Sequence, residues 1–249
     1  MICIRDFGGF RCKYTSFFLF LNILMKKMKY QEYELAFSKA RLNKYNIACG
    51  GNTRKAMQLY RYNVKLCQKY YGTLGAFEII LRNAVDRHYR STFNDADWIV
   101  HQLQPGGMLE FSPHKSDAFR HYGRLIAKGI YTPDKMVSAQ SFGFWTYLFN
   151  QIPFNAGGRT LLAIFPYKQL GVGQRAVFND LREIKAFRNR IAHHEPICFD
   201  SNGNKSLAYA LANYKLIVRY LEYLGYIENE ILYGFDVKTV AIVRNIKRL

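Results

Sequence analysis

Arg188, Asn189, His193, His194 and Glu195 crowd into one short stretch, Phe187-Arg188-Asn189-Arg190-Ile191-Ala192-His193-His194-Glu195-Pro196. An arginine is a permanent cation whose planar fork of N–H donors matches a phosphate. A histidine gains and loses protons near neutral pH. An asparagine beside them can orient either. Together these residue types make a set suited to cleaving a phosphate ester. One group would hold the charge and another would move the protons.

The element that must carry them is a helix from about Gln174 to His194. Val177, Leu181, Ile184 and Ile191 recur at helical spacing and form one apolar face. With Arg188 as origin, Leu181 lies at about +20°, Val177 at about −20°, Ile184 at about −40° and Ile191 at about −60°. Arg188 is therefore expected within the inward stripe, where an unpaired guanidinium is costly. A rule broken inside a consistent pattern points to function. Asn189 and His193, spaced i, i+4, share a different face. Pro196 turns Glu195 away from helix, so the two histidines belong to the last turn. The negative end of the helix dipole favours a cation there.

Arg188 and His193 are five residues apart, about 140° around an ideal helix. One helix does not easily aim both at a single phosphate, whereas two copies across a twofold axis could.

The chain has 249 residues and 36 Lys+Arg against 18 Asp+Glu, a formal charge of +18. Such a surface selects polyanions, nucleic acid first among them. The five cysteines (Cys3, Cys12, Cys49, Cys67 and Cys198) include no Cys-x-x-Cys pair, and the six histidines have no metal-ligand spacing. Reduced thiols in a cytoplasmic protein fit better than a disulfide framework or a zinc site. No cofactor is implied. Gly171-Val172-Gly173 is too short to be a phosphate loop.

Residues 1–27 read as an extension, with Met25 or Met28 as the natural start; the alternative is a membrane-associating N-terminus. The apolar run Phe17–Met25 is too short to span a bilayer, and no stable insertion is expected. Removing the extension's five cations and one carboxylate leaves +14. Residues 28–249 are expected to form a single, mainly α-helical domain without a substantial sheet.

The patterns predict helices over about 30–48, 53–71 (capped by Thr53 and interrupted by Gly72), 73–92, 113–128 (Ser112-Pro113 as cap and first position), 174–194 and 207–224 (closed by Gly225). A last short helix follows a possible cap at Asp236. Residues 93–112 read as a loop, and Pro133 as part of a connector. Phe142, Phe144, Trp145, Tyr147 and Phe149 could stack bases but read better as core. The helix over 73–92 carries Glu78, Arg82, Asn83, Asp86 and His88. Its Glu78–Arg82 and Arg82–Asp86 spacings suit stabilising i, i+4 ion pairs, so support is favoured over chemistry.

The stretch 187–197 resembles the signature of the Abi-like proteins (abortive infection, AbiD/AbiF type) of the HEPN superfamily of helical ribonuclease domains. Phe77-Glu78-Ile79-Ile80-Leu81-Arg82-Asn83-Ala84-Val85-Asp86-Arg87-His88 and Ser141-Phe142-Gly143-Phe144-Trp145 resemble two further segments of that family, in the same order. The resemblance covers about residues 29–224. It implies a HEPN-type helical bundle with additional helices, and metal-independent endoribonuclease activity as a toxin in phage defence. His193 would transfer protons, Arg188 would hold the phosphate and Asn189 would orient one of them. His194, Glu195, Glu78, Arg82, Asn83 and His88 would be supporting. It also implies a homodimer, or less readily Arg82 and His88 as an intramolecular partner motif, and an antitoxin of protein or RNA. The alternative is a non-catalytic RNA-binding protein of the same fold. A toxin acting on something other than RNA has little support.

Overall fold

Gly72 does not interrupt the chain's longest element. In the computed structural model, which describes residues 28–233 and 239–248, helix α3 runs unbroken from Thr53 to Phe93, 41 residues. A glycine inside a helix costs about 0.5–1 kcal/mol relative to alanine. Tyr70, Thr73, Leu74 and Phe77 around it are all buried, and each large apolar side chain buried contributes about 1.5–3 kcal/mol. Burial outweighs the local breaker. The cap also differs from expectation. Asn52 Oδ1 accepts from the Lys55 N–H at 3.0 Å, one residue before Thr53.

Before α3 come α1 (Tyr30–Phe37) and α2 (Lys39–Ala48). They divide at Ser38, whose φ of 72° ends one helix and whose hydroxyl accepts from the Arg41 N–H to start the next. The rest of the α-helical order is α4 (Trp98–Gln102), α5 (Lys115–Ala127), α6 (Pro133–Ala139), α7 (Phe142–Tyr147), α8 (Gln151–Ala156), α9 (Gln174–Ala192), α10 (Ala208–Tyr223), α11 (Glu228–Ile231) and α12 (Thr239–Arg248), with a 3-10 turn at Leu161–Ile164. The described residues are mainly helical and hold no sheet. An isolated antiparallel bridge joins Phe199 to Lys205 around the polar turn. The N-terminal stretch 1–27 and the expected cap Asp236 lie outside the described residues.

Two compact units divide at Tyr60 and Arg61, inside α3. In the first, the Tyr60 ring packs edge-on to Tyr45 at 5.3 Å and tilted against Phe37 at 5.3 Å. The second is organised around the inward face of α3, where Leu66, Tyr70, Leu74, Phe77, Leu81, Val85 and Tyr89 are buried. Phe77 meets Phe142 of α7. Tyr70 meets Phe187 of α9 and Tyr214 of α10. Helix α9 packs on α7, α8 and α10.

Three expected irregular stretches contain more order than their turn residues suggest. Helix α4 sits within 93–112 because Trp98 is fully buried and its indole N–H donates to Asp86 at 2.9 Å. Pro133 opens α6 as a first-turn residue, and Thr132 Oγ1 caps the Lys135 N–H at 3.2 Å. Helix α5 starts at Lys115, two residues later than Pro113, because Ser112 Oγ accepts from the His114 N–H and holds a turn there. The aromatic segment is core: Phe142, Phe144, Trp145 and Phe149 are buried. Ile152 is an exception to its apolar extension, being two-thirds exposed.

Candidate functional site around the Arg188 end of α9

Val177, Leu181, Ile184, Phe187 and Ile191 of α9 are buried as a continuous face. Phe187 alone lies edge-on to both Tyr70 and Tyr209, at 5.5 and 5.6 Å. That face fixes the direction of every polar residue on the helix. Arg188 sits at the edge of the face, its side chain 35% exposed, and Nε stands 3.8 Å from Glu78 Oε2 of α3. The separation makes an ion pair and exceeds hydrogen-bond range. No hydrogen bond of the Arg188 side chain to another described residue is present, so its donors remain available to an anion.

Arg190 is the opposite case. Its Nε donates to the Pro196 carbonyl at 3.0 Å. It pairs with Glu195 at 3.6 Å, and its guanidinium lies 5.3 Å from the centre of the Tyr209 ring. Of two arginines two residues apart, one is committed to the turn that ends the helix and the other is not.

That turn carries the histidines. Helix α9 stops at Ala192, with His193 as its C-cap. The His194 N–H donates to the Ile191 carbonyl at 3.0 Å and the Glu195 N–H to the Arg190 carbonyl at 2.9 Å. This is the paired Schellman pattern, which places its C′ residue in left-handed backbone. His194 occupies that position at φ 58°, where glycine is usual. A non-glycine residue held there carries local strain. Beyond it, Ile197, Cys198 and Phe199 are buried. The buried Asn63 of α3 accepts the Ile197 N–H at 2.9 Å. Asn63 and Arg190 hold the turn; the sequence patterns marked neither for this task. His193, His194 and Glu195 are exposed, as is Asn189, whose carbonyl accepts the His193 N–H at 2.9 Å.

The second segment is divided between two places. Glu78 faces Arg188. Burial raises its carboxyl above the ordinary range, and Arg188, Arg82 and the Phe142 backbone amide partly offset that rise. Three segments, on α3, α7 and α9, thus meet at one carboxylate. The expected i, i+4 pairs do not form. Arg82 Nε donates to its neighbour Asn83 at 3.3 Å. Asp86 pairs instead with Arg90 at 2.8 Å, while Arg90 also reaches Asp134 at 2.7 Å. The Trp98 indole adds a donor that favours this arrangement of Asp86.

His88 lies elsewhere. Its Nε2 is 2.9 Å from Thr160 Oγ1 and 3.4 Å from Thr92 Oγ1, and burial lowers its pKa. It lines an open groove of about 360 Å³ with Arg87, Ser91, Leu224 and Tyr226. The structure gives it no contact with Arg188 or Glu78. Within one chain, no hydrogen bond or ion pair joins Arg188 to His193 either.

His114 was missed by the motif reading. Its half-buried ring packs edge-on to Tyr147 at 5.7 Å and Phe144 at 6.2 Å. It also lies over Gly143, where an added Cβ would stand 3.2 Å from its Cε1. Burial first, and then Lys185 of α9, lower its pKa, against the opposing effects of Asp117 and the Gly143 backbone.

Among the described residues, no three His, Cys, Asp or Glu side chains converge as a metal site, and no helix is long and apolar enough to cross a membrane. The fold and site define a mainly helical, strongly basic protein with a partly exposed arginine at a helix–helix junction. No family model, curated protein or solved structure matches the chain.

Proposed function

We propose that this protein is a metal-independent endoribonuclease, acting in the cytoplasm as an Abi-like toxin of the HEPN type in phage defence. The observation that carries the reading is Arg188. It sits where three motif segments meet, its ion pair is 3.8 Å long, and it retains hydrogen-bond donors for a phosphate. Arg188 would hold the scissile phosphate and stabilise its growing charge. Asn189 would orient a reacting group, and His193 would transfer protons. The substrate's 2′-oxygen would form a bond to phosphorus as the bond to the 5′-oxygen breaks. A 2′,3′-cyclic phosphate and a 5′-hydroxyl result. DNA, lacking the 2′-hydroxyl, would not react.

The charge of +18 supports a polyanionic substrate. Helix α3 adds to this: its stretch from Thr53 to Phe77 carries Arg54, Lys55, Arg61, Lys65 and Lys69 and no carboxylate. Because Arg188 turns toward Glu78 while His193 is exposed, we propose that a homodimer brings His193 of one copy to Arg188 of the other. An antitoxin, protein or RNA, would keep the toxin silent.

The deciding experiment incubates full-length protein with end-labelled RNA in EDTA, beside His193→Ala. Cleavage by the wild type alone, leaving cyclic-phosphate ends, supports the ribonuclease. Equal, salt-sensitive RNA binding by both without cleavage assigns the protein to non-catalytic RNA binding instead.

A further inference from the structure

We propose that His114, outside the Arg-Asn-x-x-x-His segment, is a catalytic residue of the Arg188 site and takes the 2′-hydroxyl proton from RNA. This rests on the ribonuclease reading and adds a residue that the motif does not contain.

The placement comes from one packing contact, the His114 ring on Gly143, and one electrostatic influence, that of Lys185. The first runs through α7. The His114 ring covers Gly143, and Gly143 follows Phe142, whose amide acts on Glu78. Consecutive Cα atoms are about 3.8 Å apart, so the ring and the Glu78–Arg188 pair flank adjacent residues of one helix. The second runs through α9. Lys185, one turn before Arg188, is near enough for its charge to act on His114. Phe142 also meets Phe77, the neighbour of Glu78, and on these contacts we place the imidazole and the guanidinium in one patch. Arg82, Lys185 and Arg188 give that patch three cations, with Glu78 as the facing carboxylate.

The chemistry needs such a residue. Cleavage by the 2′-oxygen calls for one group to accept the 2′-hydroxyl proton and another to protonate the departing 5′-oxygen. One imidazole cannot be in both states at the start of a turn. Burial and then Lys185 lower the His114 pKa, which favours the neutral imidazole that a proton acceptor requires. In the balanced step, the 2′-oxygen loses its proton to His114 and bonds to phosphorus. The 5′-oxygen leaves with its electron pair and takes a proton from His193. Both histidines then exchange protons with water, and no oxidant or reductant is involved. Gly143 is explained at the same time, since a side chain there would displace the ring.

The test compares full-length wild type, His114→Ala, His114→Gln and His193→Ala on RNA and on uridine 3′-(4-nitrophenyl phosphate), whose leaving group needs no proton. Losing a positioned acid or base lowers the rate by about 10²–10⁴-fold. We expect that loss in kcat for both His114 variants on both substrates, with RNA affinity and Tm retained. The acid limb of the pH–rate profile disappears, and added imidazole restores part of the rate of His114→Ala. His193→Ala recovers on the nitrophenyl ester. Gly143→Ala, which moves the ring without removing it, lowers kcat at unchanged affinity. Wild-type kcat with an intact acid limb in the His114 variants overturns the proposal and leaves the ribonuclease standing. A parallel fall in Tm and RNA affinity, without imidazole rescue, makes His114 structural. A wild type that cleaves neither RNA nor the ester overturns the ribonuclease reading and this assignment with it.

Discussion

Arg188 and Arg190 give a paired test of which part of the motif is architecture. Replacing Arg190 by alanine removes a hydrogen bond to the Pro196 carbonyl at 3.0 Å, an ion pair at 3.6 Å with the exposed Glu195, and a guanidinium–ring contact with Tyr209. A hydrogen bond from a charged donor contributes about 1.5–3 kcal/mol, an exposed ion pair about 0–1 and a cation–π contact about 0.5–1. The donor is about one-third exposed, which places its hydrogen bond at the low end, so the variant is expected to lose about 2–3 kcal/mol. In a chain of this size that lowers Tm by about 4–12 °C. Arg188→Ala removes one long, partly exposed ion pair, about 0–1 kcal/mol. It also removes the proposed phosphate ligand, a loss of about 10²–10³-fold in kcat. Thermal unfolding by circular dichroism and RNA-cleavage rates on the folded fraction separate the two effects. The expected pattern is an unstable Arg190 variant that keeps activity while folded, and a stable Arg188 variant that loses it. An Arg188 variant that unfolds while Arg190→Ala is stable and inactive would refute the assignment of both arginines.

Asn63→Ala leaves the buried Ile197 N–H without its acceptor and is expected to cost about 1–3 kcal/mol, read as a shifted urea midpoint at unchanged slope. Fast hydrogen exchange at the Ile197 amide would accompany it, and slow exchange in the variant would contradict the anchor. Burial also sets a pH dependence. His88 and His114 have folded pKa values below the ordinary 6.5, so the unfolded chain binds protons that the folded chain resists. Their contribution is present above that value and lost as pH falls through the folded pKa values. Urea unfolding between about pH 7.5 and about pH 5 should show falling stability, with a shallower dependence in His88→Gln. An unchanged slope in that variant counts against His88.

What the sequence made legible follows the range over which each signal acts. The apolar period of α9 gives a direction for every side chain on it, and Val177, Leu181, Ile184, Phe187 and Ile191 are all buried. The same period put Arg188 within that face, whereas the partly exposed side chain stands at its edge, drawn to Glu78 of another helix that the period could not show. Local rules failed where a tertiary contact competed with them. Gly72 stayed helical under the burial of Tyr70 to Phe77. Asp86 had cations one turn away on both sides, Arg82 and Arg90, and the Trp98 indole and Asp134 belong to the arrangement that formed with Arg90.

His114 had no motif to announce it, since only folding carries the start of α5 onto Gly143. The sequence nevertheless exposed the problem that the proposed role of His114 addresses. Five residues on a helix turn Arg188 and His193 about 140° apart, and in the fold one faces Glu78 while the other is exposed. A reaction with two proton transfers, built on that arginine, needs a group that approaches from outside α9. A partner copy can bring one such group; as proposed, His114, packed on Gly143 just before α5, is the other.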